Sequence, residues 1–194
     1  MRLAGLLAVA ALMGMASACA PRPVALPAPS APRFPDFLEP AVPADQRSGR
    51  AASLQQRAWQ FLQAGDLRNA EREVGLALKA QPRFFPAETT VAYILLARKD
   101  AAGAATGFER VTASHPDYAP ALVGSGLALV DLDRSGEAVE VFKRALTADP
   151  SLADVARRVD VLTLRVQQGA LAAARRAAQA GQPDEDRKST RLNS

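Results

Sequence analysis

The chain has little of what catalytic and metal-binding sites are made from. Its 194 residues include one cysteine, Cys19, and one histidine, His115. A disulfide within the chain needs two cysteines, and a zinc site needs several converging ligands, so we expect neither. There is also no phosphate-binding loop, and Gly124-Ser125-Gly126, the nearest sequence to a nucleophile motif, lies within a predicted helix. We predict that the chain is not an enzyme and needs no cofactor.

The first eighteen residues have the organisation of a secretory signal. Arg2 supplies the positive charge, residues 3–15 form the apolar run, and Ala16-Ser17-Ala18 form a small-residue cleavage site. The apolar run is shorter than the roughly 20 residues that a transmembrane helix needs. We therefore interpret residues 1–18 as a signal peptide, and a buried N-terminal helix is the less favoured alternative.

The lone cysteine follows that segment directly. Ala16-Ser17-Ala18-Cys19 resembles the bacterial lipobox, in which the cysteine becomes the diacylglycerol-modified N-terminus. The lipobox usually has leucine where Ala16 stands, and ordinary signal peptidase cleavage would leave a free thiol instead. We expect lipidation of Cys19, and the resemblance then implies an outer-membrane lipoprotein facing the periplasm, because Ala20 is not aspartate. A soluble periplasmic protein is the alternative.

Residues 186–194 are a suspected sequencing artefact. They match the translation of a common adapter, GAT CGG AAG AGC ACA CGT CTG AAC TCC. The natural chain is then expected to continue differently after Glu185. Removing this tail and the signal takes the 24 basic and 20 acidic residues to 20 and 19, a net charge of +1. So small a basic excess argues against a nucleic-acid partner.

Residues 19–49 are predicted to be a proline-rich tether. Eight prolines lie between positions 21 and 43, and this density favours an extended, semi-rigid spacer. Phe34, Phe37 and Leu38 interrupt it. We favour their docking onto the first predicted helical hairpin over the alternative, a patch that binds a partner.

Beyond Arg50 the sequence repeats itself with a period of 34 residues. The repeating positions hold small, large apolar or proline residues: Ala58, Ala92 and Gly126; Phe61, Leu95 and Leu129; Ala70, Ala104, Ala138 and Ala172; Val74, Phe108 and Phe142; Ala77, Val111 and Ala145; and Pro82, Pro116 and Pro150. Small residues let two helices approach closely, large ones fill the layers between hairpins, and the prolines end helices.

This period, with two helices per unit, resembles the tetratricopeptide repeat (TPR) family over residues 51–182. The resemblance implies an all-α helix-turn-helix solenoid with three clear repeats and a degenerate fourth. The predicted helices are 51–64, 67–80, 85–98, 101–114, 119–132, 135–148, 153–167 and 169–180. In the fourth unit Asp160, Thr163 and Arg176 depart from the pattern. This unit is either a polar cap or the remnant of a longer array.

The resemblance also implies a concave groove lined by the first helix of each hairpin. Carried onto this register, the groove positions are Gln55, Trp59, Leu62 and Gln63; Tyr93 and Leu96; Val123, Leu127, Val130 and Asp131; and Arg157, Val161 and Arg165. Trp59 and Tyr93 are candidate aromatic anchors for a partner, and the equally weighted alternative buries Trp59 under the linker or inside the first hairpin. One TPR variant grips a chaperone carboxylate with lysine and asparagine. In this chain the corresponding positions hold Gln55, Trp59, Thr90, Pro120 and Gly124. None of them is lysine or asparagine, so that mode of binding is not supported and an apolar or helical ligand fits the groove better.

The resulting functional hypothesis is a protein-binding scaffold or adaptor of the bacterial cell envelope. In layout the chain resembles bacterial outer-membrane TPR lipoproteins. The expected partners are another envelope protein or peptide, held in the groove, and the membrane, held through the lipid anchor. A self-associating structural envelope protein and an accessory repeat domain of a longer protein are the alternatives.

Overall fold

Short turns join seven α-helices in the part of the chain that the computed structural model describes, which is residues 25–27 and 31–181. They are α1 (Arg50–Gln63), α2 (Leu67–Ala80), α3 (Phe85–Ala97), α4 (Ala101–Ser114), α5 (Ala119–Asp131), α6 (Ser135–Ala148) and α7 (Ala153–Gly181), after a 3-10 turn at Ala44–Gln46. These residues include no β-strand. The first six predicted helices are confirmed to within one residue at each end. The predicted signal peptide, Cys19 and residues 186–194 lie outside the described residues.

The helices pack in sequence order as three antiparallel hairpins, α1/α2, α3/α4 and α5/α6, with α7 against α6. In addition α1 contacts α3, and α3 contacts α5, so the first helices of the hairpins lie side by side. They form one layer of a solenoid, and the second helices form the other. No helix of the described part combines the length and apolar character needed to cross a bilayer.

The turn inside each hairpin recurs with the same 34-residue period. Gly65, Lys99 and Asp133 all have positive φ, at 81°, 67° and 58°. At the first turn Gly65 N donates to the Leu62 carbonyl over 2.8 Å and Asp66 N to the Phe61 carbonyl over 2.9 Å. This is the Schellman pattern that closes a helix C-terminus. Asp66 then caps α2, because its carboxylate accepts from Asn69 N at 3.1 Å.

The predicted fourth hairpin is not formed, and this corrects the sequence-based expectation. Residues predicted as two helices, 153–167 and 169–180, belong to the single 29-residue helix α7. The equivalent turn positions hold Gln167 and Gln168, where the first turn has Gly65 and Asp66. Glutamine favours the helix interior and is a poor N-cap, so nothing at these positions stops the helix.

The repeated small residues are buried where the two helices of a hairpin meet. Those at positions 58, 92, 70, 104, 138, 77 and 145 are at most 1% exposed. Phe108 and Phe142 are fully buried. Their rings occupy the space that a side chain at Gly124 and Gly126, respectively, would need. The burial of the small residues and the position of Phe108 between two hairpins were therefore predicted correctly, whereas Phe142 packs on Gly126 inside its own hairpin.

One buried charge joins the first two helices. Glu73 on α2 is 4% exposed and accepts hydrogen bonds from Arg57 Nε of α1 at 3.1 Å and from the Arg72 guanidinium at 2.7 Å. Burial by itself raises the pKa of this carboxyl, but the bonds from Arg72 and Arg57 outweigh it and hold the pKa below its usual value. Glu73 is therefore ionised at neutral pH and ties α1 to α2.

Candidate functional site

The layer made by α1, α3 and α5 is covered by a non-helical stretch of the same chain. This stretch, residues 33–42, is called the groove segment below. It lies N-terminal to α1 and runs from the C-terminal end of α1 to the start of α5. Phe34, Phe37, Leu38 and Val42 are its apolar contacts with the buried core. It therefore occupies the surface where a partner was predicted to lie.

Main-chain hydrogen bonds hold the groove segment at several points. Arg33 N donates to the Gln63 carbonyl at 2.8 Å, and Phe34 N donates to Gln63 Oε1 at 3.3 Å. Farther along, the Tyr118 hydroxyl donates to the Ala41 carbonyl at 2.9 Å. Within the segment Phe37 N donates to the Phe34 carbonyl at 3.1 Å and closes a turn, and the bonds to the helices pair further main-chain groups.

A run of aromatic rings connects the segment to the helices. Phe34 stacks on Phe37, with ring centroids 4.9 Å apart, and Phe37 lies 4.7 Å from Tyr93 of α3. Tyr93 in turn makes edge-to-face contacts with Trp59 at 5.6 Å and with Phe108 at 4.9 Å. Such arrangements suit the charge distribution of aromatic rings. The predicted docking of Phe34, Phe37 and Leu38 is confirmed, and it reaches beyond the first hairpin to α3.

Tyr93 joins the segment to two helices through its hydroxyl as well as its ring. The hydroxyl donates to the Pro120 carbonyl of α5 at 2.7 Å and accepts from Leu38 N at 3.3 Å. Tyr93 is completely buried, and burial raises the pKa of its phenol. The hydroxyl therefore stays protonated and keeps its donor role.

The last helix contributes a charged contact. On α7 the Arg158 guanidinium lies 2.8 Å from the Asp36 carboxylate of the groove segment. The neighbouring Arg157 was predicted to line the groove. The structure instead places Arg157 against Asp154 of its own helix. Two adjacent arginines on a helix point about 100° apart, and the period alone does not show which one faces the groove.

Most of the predicted groove residues are buried under the segment or between helices. Gln55, Trp59, Leu62, Tyr93, Leu96, Val123 and Leu127 are all at most 9% exposed. Gln55 donates to Thr90 Oγ1 at 3.2 Å and so joins α1 to α3. Of the two interpretations of Trp59, the structure supports burial, since Trp59 is 6% exposed and contacts Tyr93.

The other predicted positions lie at the edge of the groove or away from it. Gln63 binds the start of the groove segment, and Val130 is partly buried against the core. Asp131 is exposed and pairs with Lys99 Nζ at 3.6 Å. Arg165 and Val161 are exposed on α7, and Val161 is 60% exposed. These two side chains are therefore not brought to the segment.

The site holds a segment of its own chain. It offers stacked rings, main-chain hydrogen-bond partners and one guanidinium. Within residues 25–27 and 31–181, no group of three or more His, Cys, Asp or Glu side chains is arranged to hold a metal ion.

Comparison with known proteins gives matches among solved structures; no family model and no curated protein sequence matches the chain. The first TPR domain of the human RPAP3 protein superposes with a TM-score of 0.57 at 18% identity, over 61% of this chain and 94% of that one. The first TPR of Spaghetti (RPAP3), bound to the HSP90 peptide SRMEEVD, also gives 0.57, at 19% identity, over 61% and 96%. MamA from Desulfovibrio magneticus RS-1, residue 41 to the end, gives 0.53 at 24% identity, over 68% and 74%. The chain therefore has the all-α helical solenoid fold of TPR domains.

Proposed function

We propose that this chain is a protein-binding scaffold or adaptor of the bacterial cell envelope that holds a non-helical segment of a partner in its groove. The observation that carries the proposal is the groove segment itself. A non-helical peptide with one turn at residues 34–37 lies across α1 and α3 and is held by hydrogen bonds and stacked rings. Spaghetti (RPAP3), which has the same fold, is seen with a bound peptide.

The contacts define the chemistry that a partner needs. Two phenylalanines three residues apart, Phe34 and Phe37, supply the stacked rings. Between them Asp36 supplies the carboxylate for Arg158. A partner segment that forms the same turn and carries two such rings and an acidic residue matches this surface. It competes with the chain's own segment, which has the advantage of being covalently attached.

Weakening the chain's own segment should open the groove to a peptide added in trans. A fluorescent peptide with the sequence of residues 32–43 is expected to bind the Phe37→Ala variant about 5- to 30-fold more tightly than it binds the wild type, because truncating a stacked ring at an interface costs about 1–2 kcal/mol. Fluorescence anisotropy measures both affinities.

Two controls make this experiment specific. A peptide with alanine at both phenylalanine positions should not bind, and Leu76→Ala, at a 39% exposed site on α2, should leave the affinity at the wild-type value. Equal binding of the peptide to wild type and Phe37→Ala, or no binding to either, would contradict the proposal.

The envelope part of the proposal rests on residues 1–19, which have the organisation of a signal peptide followed by the lipobox-like cysteine. Expressed in a Gram-negative host, Cys19→Ser is expected to lose metabolic labelling by palmitate and to leave the membrane fraction. Ala20→Ser serves as the matched control and should keep both. Undiminished membrane retention of Cys19→Ser would rule out the lipid anchor.

A further inference from the structure

A polar cavity of about 370 Å³ lies at the edge of the array where the first two hairpins are joined. Its walls come from the connection between α2 and α3, from the first turn of α3 and from the end of α4. The lining residues are Arg83, Glu88, Arg110, Val111, Ser114 and His115. None of them belongs to the groove segment, so this cavity is separate from the site described above.

The lining of this cavity departs from the 34-residue pattern. Glu88 stands where the other two hairpins have Leu54 and Leu122, which pack against the core. Ser114 stands where both of the other hairpins have alanine. The other two hairpins form without polar groups at these positions, so helix packing does not require them. Their presence in the α3/α4 hairpin alone indicates a role other than packing.

The backbone of Arg83 also departs from the pattern. Its φ is 60°, whereas Asp117 and Ser151, at the same position in the next two connections, do not have positive φ. A side chain with a Cβ makes this left-handed conformation unfavourable. Residues held in it cluster at ligand-binding sites. The connection therefore keeps an arginine where glycine would be less strained, which points to a use for the guanidinium.

The charged groups of the cavity are not paired with one another. Among the described residues, Arg83, Arg110 and Glu88 take part in no ion pair and no side-chain hydrogen bond. His115 is held in place because its ring lies against that of Phe85, with centroids 4.0 Å apart. The cavity therefore offers guanidinium, imidazole and hydroxyl donors to an anion, and one carboxylate to a donor on the same ligand.

We propose that this cavity binds a small phosphate ester that also carries an ammonium group. Arg83, Arg110, Ser114 and His115 supply donors from more than one element, and a tetrahedral phosphate presents oxygens in several directions, whereas the two oxygens of a carboxylate lie in one plane. Guanidinium groups also pair with phosphate through two parallel hydrogen bonds. Glu88 accepts from the ammonium group. Free phosphoethanolamine and the headgroup of phosphatidylethanolamine share this chemistry.

The histidine provides a direct measurement of binding. His115 is the only histidine, so its ring signals in a proton–carbon NMR spectrum report from the wall of the cavity. In the full chain carrying Cys19→Ser, which removes the only thiol, phosphoethanolamine is expected to shift these signals saturably. Arg110→Ala and Arg83→Gly should each raise the Kd at least about tenfold, because each removes a charged donor. Signals that do not move at any concentration would overturn the proposal.

Two variants separate binding from folding. Arg144 on α6 is exposed and stands one repeat after Arg110, so Arg144→Ala is the matched control and should leave the Kd unchanged. Arg83→Gly relieves the positive φ and should keep the Tm at or above that of the parent while it weakens binding. If Arg144→Ala weakens binding as much as Arg110→Ala does, general charge attraction holds the ester and the proposal is wrong.

Matched ligands test the two charged ends. β-Alanine, which has a carboxylate in place of the phosphate, should bind at least about tenfold more weakly than phosphoethanolamine. Ethyl phosphate, which lacks the ammonium group, should also bind more weakly, and Glu88→Gln should remove that difference. Equal binding of phosphoethanolamine and β-alanine, or a preference for the ammonium group that survives Glu88→Gln, would contradict the assigned ligand.

Vesicles distinguish the two sources of the ligand. If the headgroup is bound, phosphatidylethanolamine vesicles should retain more of the chain than phosphatidylcholine vesicles, whose choline has no N–H to donate, and Arg110→Ala should lose this difference. Equal retention by both vesicles, together with the saturable His115 shift, identifies the free ester instead.

Discussion

Replacing Tyr93 with alanine is expected to lower the free energy of unfolding by about 4 kcal/mol, the range for large side chains removed from a core. Tyr93 is completely buried, and its ring touches Phe37, Trp59 and Phe108. Its loss leaves a cavity at the point where α1, α3, α4 and the groove segment meet. Urea denaturation followed by far-UV circular dichroism measures the change.

The matched variant Tyr93→Phe separates the hydroxyl from the ring. It keeps the stacked contacts but leaves the Pro120 carbonyl and Leu38 N without their partner, so we expect a loss of about 1–2 kcal/mol. Tyr93→Phe should also loosen the groove segment, which limited proteolysis between residues 33 and 42 reports. If Tyr93→Ala and Tyr93→Phe cost the same, the ring contacts do not carry the stability assigned to them.

Replacing Gly126 with valine is expected to cost about 3 kcal/mol. A side chain at this position would overlap the ring of Phe142, which is fully buried and has no room to move away. The α5/α6 hairpin must then separate or the ring must leave its rotamer, and such overpacking costs up to about 3 kcal/mol. The same denaturation experiment measures the loss.

Gly75 is the control, because it also lies within a helix but faces open space. No atom outside its own helix backbone comes near a side chain built at Gly75, so Gly75→Ala should stabilise the chain by up to about 1 kcal/mol through helix propensity alone. Opposite signs for the two glycines are the expected result. If Gly126→Val is neutral, the close contact with Phe142 is wrong.

The helices and their boundaries were predictable because the residues that repeat every 34 positions end, cap and pack the helices through short-range interactions. Pro82 and Pro116 lie just after α2 and α4, which they prevent from continuing. Gly65-Asp66 ends α1 and caps α2 through hydrogen bonds between residues that are close in sequence. Ala70 and Ala104 are small because the facing helix is close. Each of these constraints acts over a short stretch of chain and therefore appears in the sequence.

The absence of a fourth turn depends on more than the residues of the turn itself. Ala172 keeps the register and favours a hairpin, yet Gln167 and Gln168 provide neither a C-cap nor an N-cap. A small residue in register permits close packing, but it does not stop a helix. The α5/α6 turn forms although Arg134 gives it no side-chain cap, so capping alone is not decisive; α7, which also has Asp160 and Arg176 at the packing positions, continues as one helix.

The amino-acid sequence by itself determined the helical hairpins, their spacing and the small and large residues that pack between them, since these depend on neighbours within about 34 residues. Only the tertiary structure decided that the groove is occupied by residues 33–42 and that Arg158, rather than Arg157, reaches it. Those contacts join residues 55 to 122 positions apart, at Leu38–Tyr93 and Asp36–Arg158. They depend on how the stacked helices orient each side chain in space, which no local pattern encodes.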